Sequence, residues 1–129
     1  MTTTYLANLT KANALAGKTV GNGQCEAFVQ QVSTAPNPIL WCKGQSVKDA
    51  SYVAPGTVIA VFGPSGKYGN SADKTSHAAI LLSRTVAGIW VLDQCHNGPK
   101  QQPVEKRFIR YMCGVGAKAC DGNQFSIVI

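Results

Sequence analysis

Three residues of this chain bring hydrolytic chemistry in a usable order: Cys25, His77 and Asp93. Cys25 stands where Gly21-Asn22-Gly23-Gln24 gives way to Cys25-Glu26-Ala27-Phe28-Val29-Gln30-Gln31-Val32, a stretch whose spacing predicts a helix. A thiol at a helix start lies among backbone N–H groups with no intrahelical partner and at the positive end of the dipole. Both favour thiolate over thiol. The flanking glycines permit a sharp turn and are expected to leave the sulfur open to a substrate. A thiol nucleophile needs a base, and His77 supplies an imidazole at the head of the apolar run Ser76-His77-Ala78-Ala79-Ile80-Leu81-Leu82. Asp93 ends a second apolar run, Gly88-Ile89-Trp90-Val91-Leu92-Asp93, where a carboxylate would hold the imidazole in one tautomer. Singly, each has an ordinary meaning: a structural thiol, a packed histidine, a turn-forming aspartate. Three such meanings must hold together, in the order of a cysteine hydrolase, for the chemical reading to fail.

The elements that must position these groups are legible around them. Tyr5, Leu6, Leu9, Ala12 and Ala16 recur at helical spacing over residues 5–16, with Gly17 as the expected cap. In the second helix Cys25, Phe28, Val29 and Val32 share a face, placing sulfur and core on one side. Pro36 and Pro38 end it, and residues 36–51 are mixed, anchored by Trp41 and Cys42. Val53-Ala54-Pro55-Gly56 is a turn into the β-prone run Thr57-Val58-Ile59-Ala60-Val61-Phe62, and Gly63–Asn70 is a loop before the His77 strand. Alternation over Val104–Met112 and the run Phe125–Ile129 add further strands. The sum is an α+β layout, helices first and then five or six largely antiparallel strands, in one domain spanning residues 1–129. Trp41 and Trp90 are expected as core anchors.

Apolar residues make up 45% of the chain and charged residues 14%, which argues against disorder. The net charge of +6 predicts an anionic partner. Nucleic acid is not expected, since Lys and Arg are scattered rather than striped with aromatics. No run approaches the roughly 20 apolar residues of a membrane span, and Met1–Leu6 lacks the pattern of an export signal. The five cysteines leave one thiol over after pairing. With Cys25 free, Cys113 with Cys120 and Cys42 with Cys95 is one of three possible connectivities. Buried, reduced cysteines are the alternative. The absence of a C-x-x-C spacing, with only His77 and His96 as imidazoles, points away from zinc, and no cofactor is expected.

With these motifs in view the chain resembles the NlpC/P60 and CHAP group of papain-like cysteine amidases. The resemblance rests on Gly23-Gln24-Cys25-Glu26-Ala27-Phe28-Val29, on the Pro55-Gly56 turn into Thr57–Phe62, on Ser76–Leu81 and on the strand ending in Asp93, together spanning residues 21–97. It implies a papain-like fold, Cys25 as nucleophile, His77 as base and Asp93 as the residue orienting it, with Asn97 as the alternative third residue. Gln24 or the Cys25 N–H would steady an oxyanion. Gln94, on the pleat opposite Asp93, should point away. The implied substrate is a peptidoglycan peptide, cut at the D-alanine to diaminopimelate cross-link or, alternatively, between D-glutamate and diaminopimelate. Lys67, Lys74, Arg84 or Lys100 would clamp its carboxylates. Small size and the unsignalled start look most like a type VI secretion amidase effector. Such a protein is made in the cytoplasm, is monomeric when free, acts in a rival's periplasm and is checked by an acidic immunity protein. A phage endolysin and a non-catalytic wall-binding module are the alternative readings.

Overall fold

The computed structural model of the chain describes residues 4–69, 76–94 and 102–129. Helix α1 covers Leu9–Ala14 and begins where the Asn8 side chain accepts from the Lys11 N–H at 3.0 Å. It is shorter than the apolar spacing predicts. Tyr5–Ala7 are drawn off as extended chain, the Tyr5 carbonyl accepting from Val58 and the Ala7 N–H donating to Gly56. The cap is Leu15 rather than Gly17, which instead donates its N–H to the Val104 carbonyl. Helix α2 covers Cys25–Val32, as the sequence predicts, and buries Cys25, Phe28, Val29 and Val32.

Six strands follow: β1 (Lys43–Ser46), β2 (Val58–Val61), β3 (His77–Arg84), β4 (Gly88–Asp93), β5 (Glu105–Arg110) and β6 (Phe125–Val128). They form one antiparallel sheet in the order β1-β6-β2-β3-β4-β5. This confirms an α+β architecture. Strand β1 is not evident in the sequence, because Lys43-Gly44-Gln45-Ser46 has no apolar alternation; it is an edge strand set by pairing with β6.

The central strands read as continuous apolar runs because both faces of the sheet are covered. Val58, Ala60, Ala78, Ile80 and Leu92 face the helices and pack with Phe28, Val29 and Trp41. Ile59, Val61, Ala79, Leu81, Val91 and Ile109 face the other way and meet Val47, Ala50, Val53 and Phe125. Trp41 is fully buried as expected, whereas Trp90 is only half-buried, stacked on Phe108 and under the Lys106 ammonium near the β5 edge. Strand β4 and strand β5 pair without a break from Gly88↔Arg110 to Asp93↔Glu105. Among the described residues no helix is long and apolar enough to cross a membrane.

Candidate active site

The turn before α2 is built for its place. Gly21 has φ +57°, and a Cβ on it would meet the Ala27 Cβ at 2.9 Å. The chain thereby enters the helix tightly, and Gln24 becomes the N-cap residue with Cys25 in the first turn. The Gln24 side chain is exposed and makes no capping bond, so its backbone rather than its amide takes part in the site. The part expected of Gln24 as an oxyanion donor has no contact supporting it here.

Cys25 is 6% exposed, so the sulfur is not open to solvent as the glycines suggested. Its surroundings also reverse the expected ionisation. Burial pushes the thiol well above its ordinary value, and the adjacent Glu26 carboxylate pushes it further. The Ala78 N–H favours the thiolate, as does the Tyr68 hydroxyl whenever it donates to sulfur, without overcoming those two. A helix N-terminus lowers a thiol pKa and burial in apolar surroundings raises it, and here burial is the larger effect. The free protein therefore holds Cys25 as a thiol.

His77 and Asp93 meet as the strand endings predict. Nε2 of His77 lies 2.7 Å from Oδ2 of Asp93, with His77 3% exposed and Asp93 fully buried. The ring is further held edge-on to Phe125, centroids 6.2 Å apart. Burial alone would raise the Asp93 pKa, but the His77 hydrogen bond and the Arg107 charge outweigh it and hold the carboxyl below its usual range. An ionised carboxylate only accepts, so Nε2 carries the proton and Nδ1 is the basic nitrogen of the neutral ring.

Arg107 is a partner that motif reading missed. Its Nε donates to both Asp93 oxygens at 3.0 and 2.8 Å, and its Nη2 reaches Oδ2 at 2.7 Å and the Ala119 carbonyl at 2.8 Å. Asp93 pairs with Glu105, so Arg107 is its diagonal neighbour on the same face of the sheet. The signal was present as a charged residue alternating with Ile109, but it needed the β4–β5 register to be read.

Gln94 was also underrated. It occupies the opposite pleat from Asp93, as alternation requires, yet it is fully buried and serves the nucleophile's own loop. Its Oε1 accepts from the Val20 N–H at 2.7 Å, and its Nε2 donates to the carbonyls of Val20 at 3.0 Å and Gln24 at 2.7 Å. The end of β4 thus fixes His77 through Asp93 and the start of α2 through Gln94.

The sulfur and the imidazole approach β3 at consecutive residues. Cys25 meets the strand at the Ala78 N–H, on the helix side, while His77 belongs to the pleat of Ala79 and Leu81. No hydrogen bond joins Cys25 to His77 in the unliganded structure. Of the basic residues proposed as clamps, Arg84 lies at the far end of β3, about 23 Å along the strand from His77 at the usual rise per residue. It donates to the carbonyls of Val47, Ala50 and Ser51, so it braces the fold instead. Lys67 is exposed beside Tyr68. Asn97, Lys74, Lys100, Cys95 and His96 lie outside the described residues. No disulfide joins the described cysteines: Cys42, Cys113 and Cys120 are free and exposed, in place of the pairing or burial expected of them. Among the described residues no group of His, Cys, Asp and Glu is arranged to hold a metal ion.

Comparison with known proteins places these features in a family. Residues 1–128 match the family Dae2, domesticated amidase effector 2. A type VI secretion amidase effector 2 protein of Salmonella typhi is 36% identical over 105 residues, covering 81% of this chain and 77% of that protein. A solved structure of type 6 secretion amidase effector 2 (Tae2) superposes with a TM-score of 0.73 at 30% identity, covering 92% of this chain and 90% of the other. The helix-borne thiol, the paired His and Asp and the six-stranded sheet are thus found in a chain that belongs to the amidase effector 2 family.

Proposed function

We propose that this protein is a peptidoglycan amidase that acts as an antibacterial toxin, with Cys25 as nucleophile, His77 as general base and Asp93 as the residue orienting His77. The observation that carries this reading is the buried His77–Asp93 pair, which leaves Nδ1 as the unprotonated ring nitrogen on the residue just before Ala78, whose N–H faces the Cys25 sulfur. Because the resting sulfur is a thiol, the first step is general-base attack rather than reaction of a preformed ion pair. Nδ1 takes the S–H proton as Sγ bonds to the amide carbonyl carbon, and the carbonyl π pair moves onto oxygen. Unliganded catalytic contacts are often loose, and substrate binding is what closes this one. The tetrahedral oxyanion is met by the Cys25 N–H. Collapse breaks the C–N bond, His77 protonates the leaving amine, and a thioester remains. Water, deprotonated by His77, then releases the acid and restores the thiol.

The fold that supports this chemistry is the papain-like NlpC/P60 arrangement, acting as one catalytic domain over residues 1–129. The bond cut is the D-alanine to diaminopimelate cross-link, in the periplasm of a target cell, with an acidic immunity protein as the inhibitor in cells that make the toxin. A net charge of +6 suits an anionic wall, so binding to sacculi weakens as salt rises. The test is mass spectrometry of muropeptides released from purified sacculi by the wild type, Cys25→Ala and His77→Ala. New termini at the cross-link from the wild type alone support the assignment. Termini at D-glutamate–diaminopimelate move the scissile bond, and full digestion by Cys25→Ala would discard the thiol mechanism.

A further inference from the structure

Cys25 has a neighbour that the hydrolytic steps leave unused. Tyr68, in the connection from β2 to β3, is 7% exposed, and its hydroxyl lies 3.7 Å from the Cys25 sulfur. The same hydroxyl donates to Oε2 of Glu26, the residue after the nucleophile. The phenol is held in place from two sides. Trp41 packs on it with centroids 4.8 Å apart and Phe62 at 6.1 Å, and Trp41 is itself fixed by its indole N–H on the Pro36 carbonyl at 2.9 Å.

A phenol has one proton and so donates once. While that proton is on Glu26, the Tyr68 oxygen turns only lone pairs toward sulfur, and the bond available there is one accepted from S–H. The arrangement suits a thiol and opposes a thiolate. If the same proton turns to Sγ, it suits a thiolate. Glu26 and Cys25 therefore compete for a single donor.

We propose that Tyr68 is a further catalytic residue in contact with the reacting sulfur, and that Glu26, acting through it, sets whether Cys25 rests as thiol or thiolate. When Glu26 is neutralised or drawn away by bound substrate, the Tyr68 O–H leaves Oε2 and donates to Sγ as His77 takes the thiol proton. No bond other than S–H is broken, and that proton ends on Nδ1. The inference rests on Cys25 being the nucleophile. The ionisable groups acting on the sulfur among the described residues are Glu26 on α2 and Tyr68 on the loop, while His77 on β3 and Asp93 on β4 belong to the opposite pleat. His77 and Asp93 are already committed to each other. The Ala78 N–H faces the sulfur in either state.

The test is peptide-resolved alkylation of Cys25 by iodoacetamide as a function of pH, which also separates it from the exposed Cys42, Cys113 and Cys120. The full chain is compared with Glu26→Gln, Tyr68→Phe and the double variant. The wild-type rate should rise only above the ordinary thiol range, about pH 8.5. Glu26→Gln should lower the midpoint by about one unit, giving a roughly tenfold faster reaction at pH 8. In the Tyr68→Phe background the gain from Glu26→Gln should fall below about threefold, since coupled residues fail to add. An unmoved midpoint in Glu26→Gln overturns the proposal, as does an equal gain in both backgrounds. Glu26 is partly exposed, so if Tyr68→Phe melts early the comparison of Glu26→Gln with wild type still decides. Alkylation needs no turnover, so failure of Cys25 as nucleophile, seen only in digestion of sacculi, is distinguished from failure here.

Discussion

In the proposed mechanism Asp93 serves His77 only while it stays ionised, and the His77 hydrogen bond together with the Arg107 charge keeps it so. Three of the Arg107 contacts fall on the two carboxylate oxygens of a fully buried group. Replacing Arg107 by glutamine removes the charge and leaves the carboxylate facing His77 alone. A nearby guanidinium lowers a carboxyl pKa, so the Asp93 pKa should rise in Arg107→Gln. Once protonated, Asp93 can donate to Nε2, and the ring no longer presents Nδ1 as its base. The acid limb of the pH–rate profile on sacculi should therefore move upward by about one unit or more, with a stability loss of about 3–5 kcal/mol from breaking a buried pair. Lysine should rescue the limb poorly, because a point charge cannot span both oxygens. An acid limb that stays in place while the melting temperature drops would make Arg107 purely structural. At this scale the His77–Asp93 contact was legible in the sequence, since the two residues stand at neighbouring strand ends, and Cys25 joins them as the proposed nucleophile. Arg107, Gln94 and Tyr68 were hidden because each acts on a residue far away in the chain, through register or loop path.

The same division holds among the elements. Helix α2 and strands β2 to β4 were legible because their apolar residues keep one period and are buried on every side that period predicts. Helix α1 was overextended because Asn8 caps it late and tertiary pairing with Gly56 and Val58 claims the residues before it. What no local pattern reveals is that the end of β4 ties the His77 strand to the nucleophile helix. Asp93 and Gln94 are consecutive and face opposite sides, one toward His77 and the other toward the loop before Cys25. Gln94→Leu keeps the volume and removes three hydrogen bonds, orphaning the Val20 N–H, while the carbonyls of Val20 and Gln24 keep only their backbone donors, the N–H groups of Gly23 and Ala27. A buried orphan costs about 1–3 kcal/mol and each of the two other lost bonds about 0.5–1.5, so a loss of at least about 2 kcal/mol is expected in denaturant melts. Because the lost bonds tie down the loop that enters the helix, turnover should fall more than tenfold even at temperatures where the variant is fully folded. Equal turnover at full folding would separate the Gln94 bonds from catalysis.

At the scale of the whole molecule, two buried carboxylates among the described residues are placed to shape the response to acid. Asp93 anchors the sheet side of the site, and Asp121 anchors the segment that crosses behind it. Asp121 accepts from the N–H groups of Met112 and Gly114 at 2.7 Å each and of Asn123 at 3.0 Å, and from the Gln124 amide at 3.2 Å. Arg107 joins the two anchors, reaching Asp93 with one edge and the Ala119 carbonyl with the other. Burial alone would raise the Asp121 pKa, but these donors more than offset it and hold the carboxyl below the ordinary carboxylate range, as His77 and Arg107 do for Asp93. With both folded-state values below those of the unfolded chain, the unfolded form binds more protons near pH 4. Stability then falls as pH drops. The contribution is complete above the unfolded value and is lost as pH passes down through the folded ones. The melting temperature should accordingly be insensitive to these two groups from pH 6 to 8 and should decline below about pH 4. Asp121→Asn still accepts through one oxygen but cannot ionise. It should melt earlier than wild type at pH 7 and lose less on acidification to about pH 2, so that the two melting curves converge. Parallel declines in the two proteins would assign the acid sensitivity to other groups and leave Asp121 a hydrogen-bond acceptor alone.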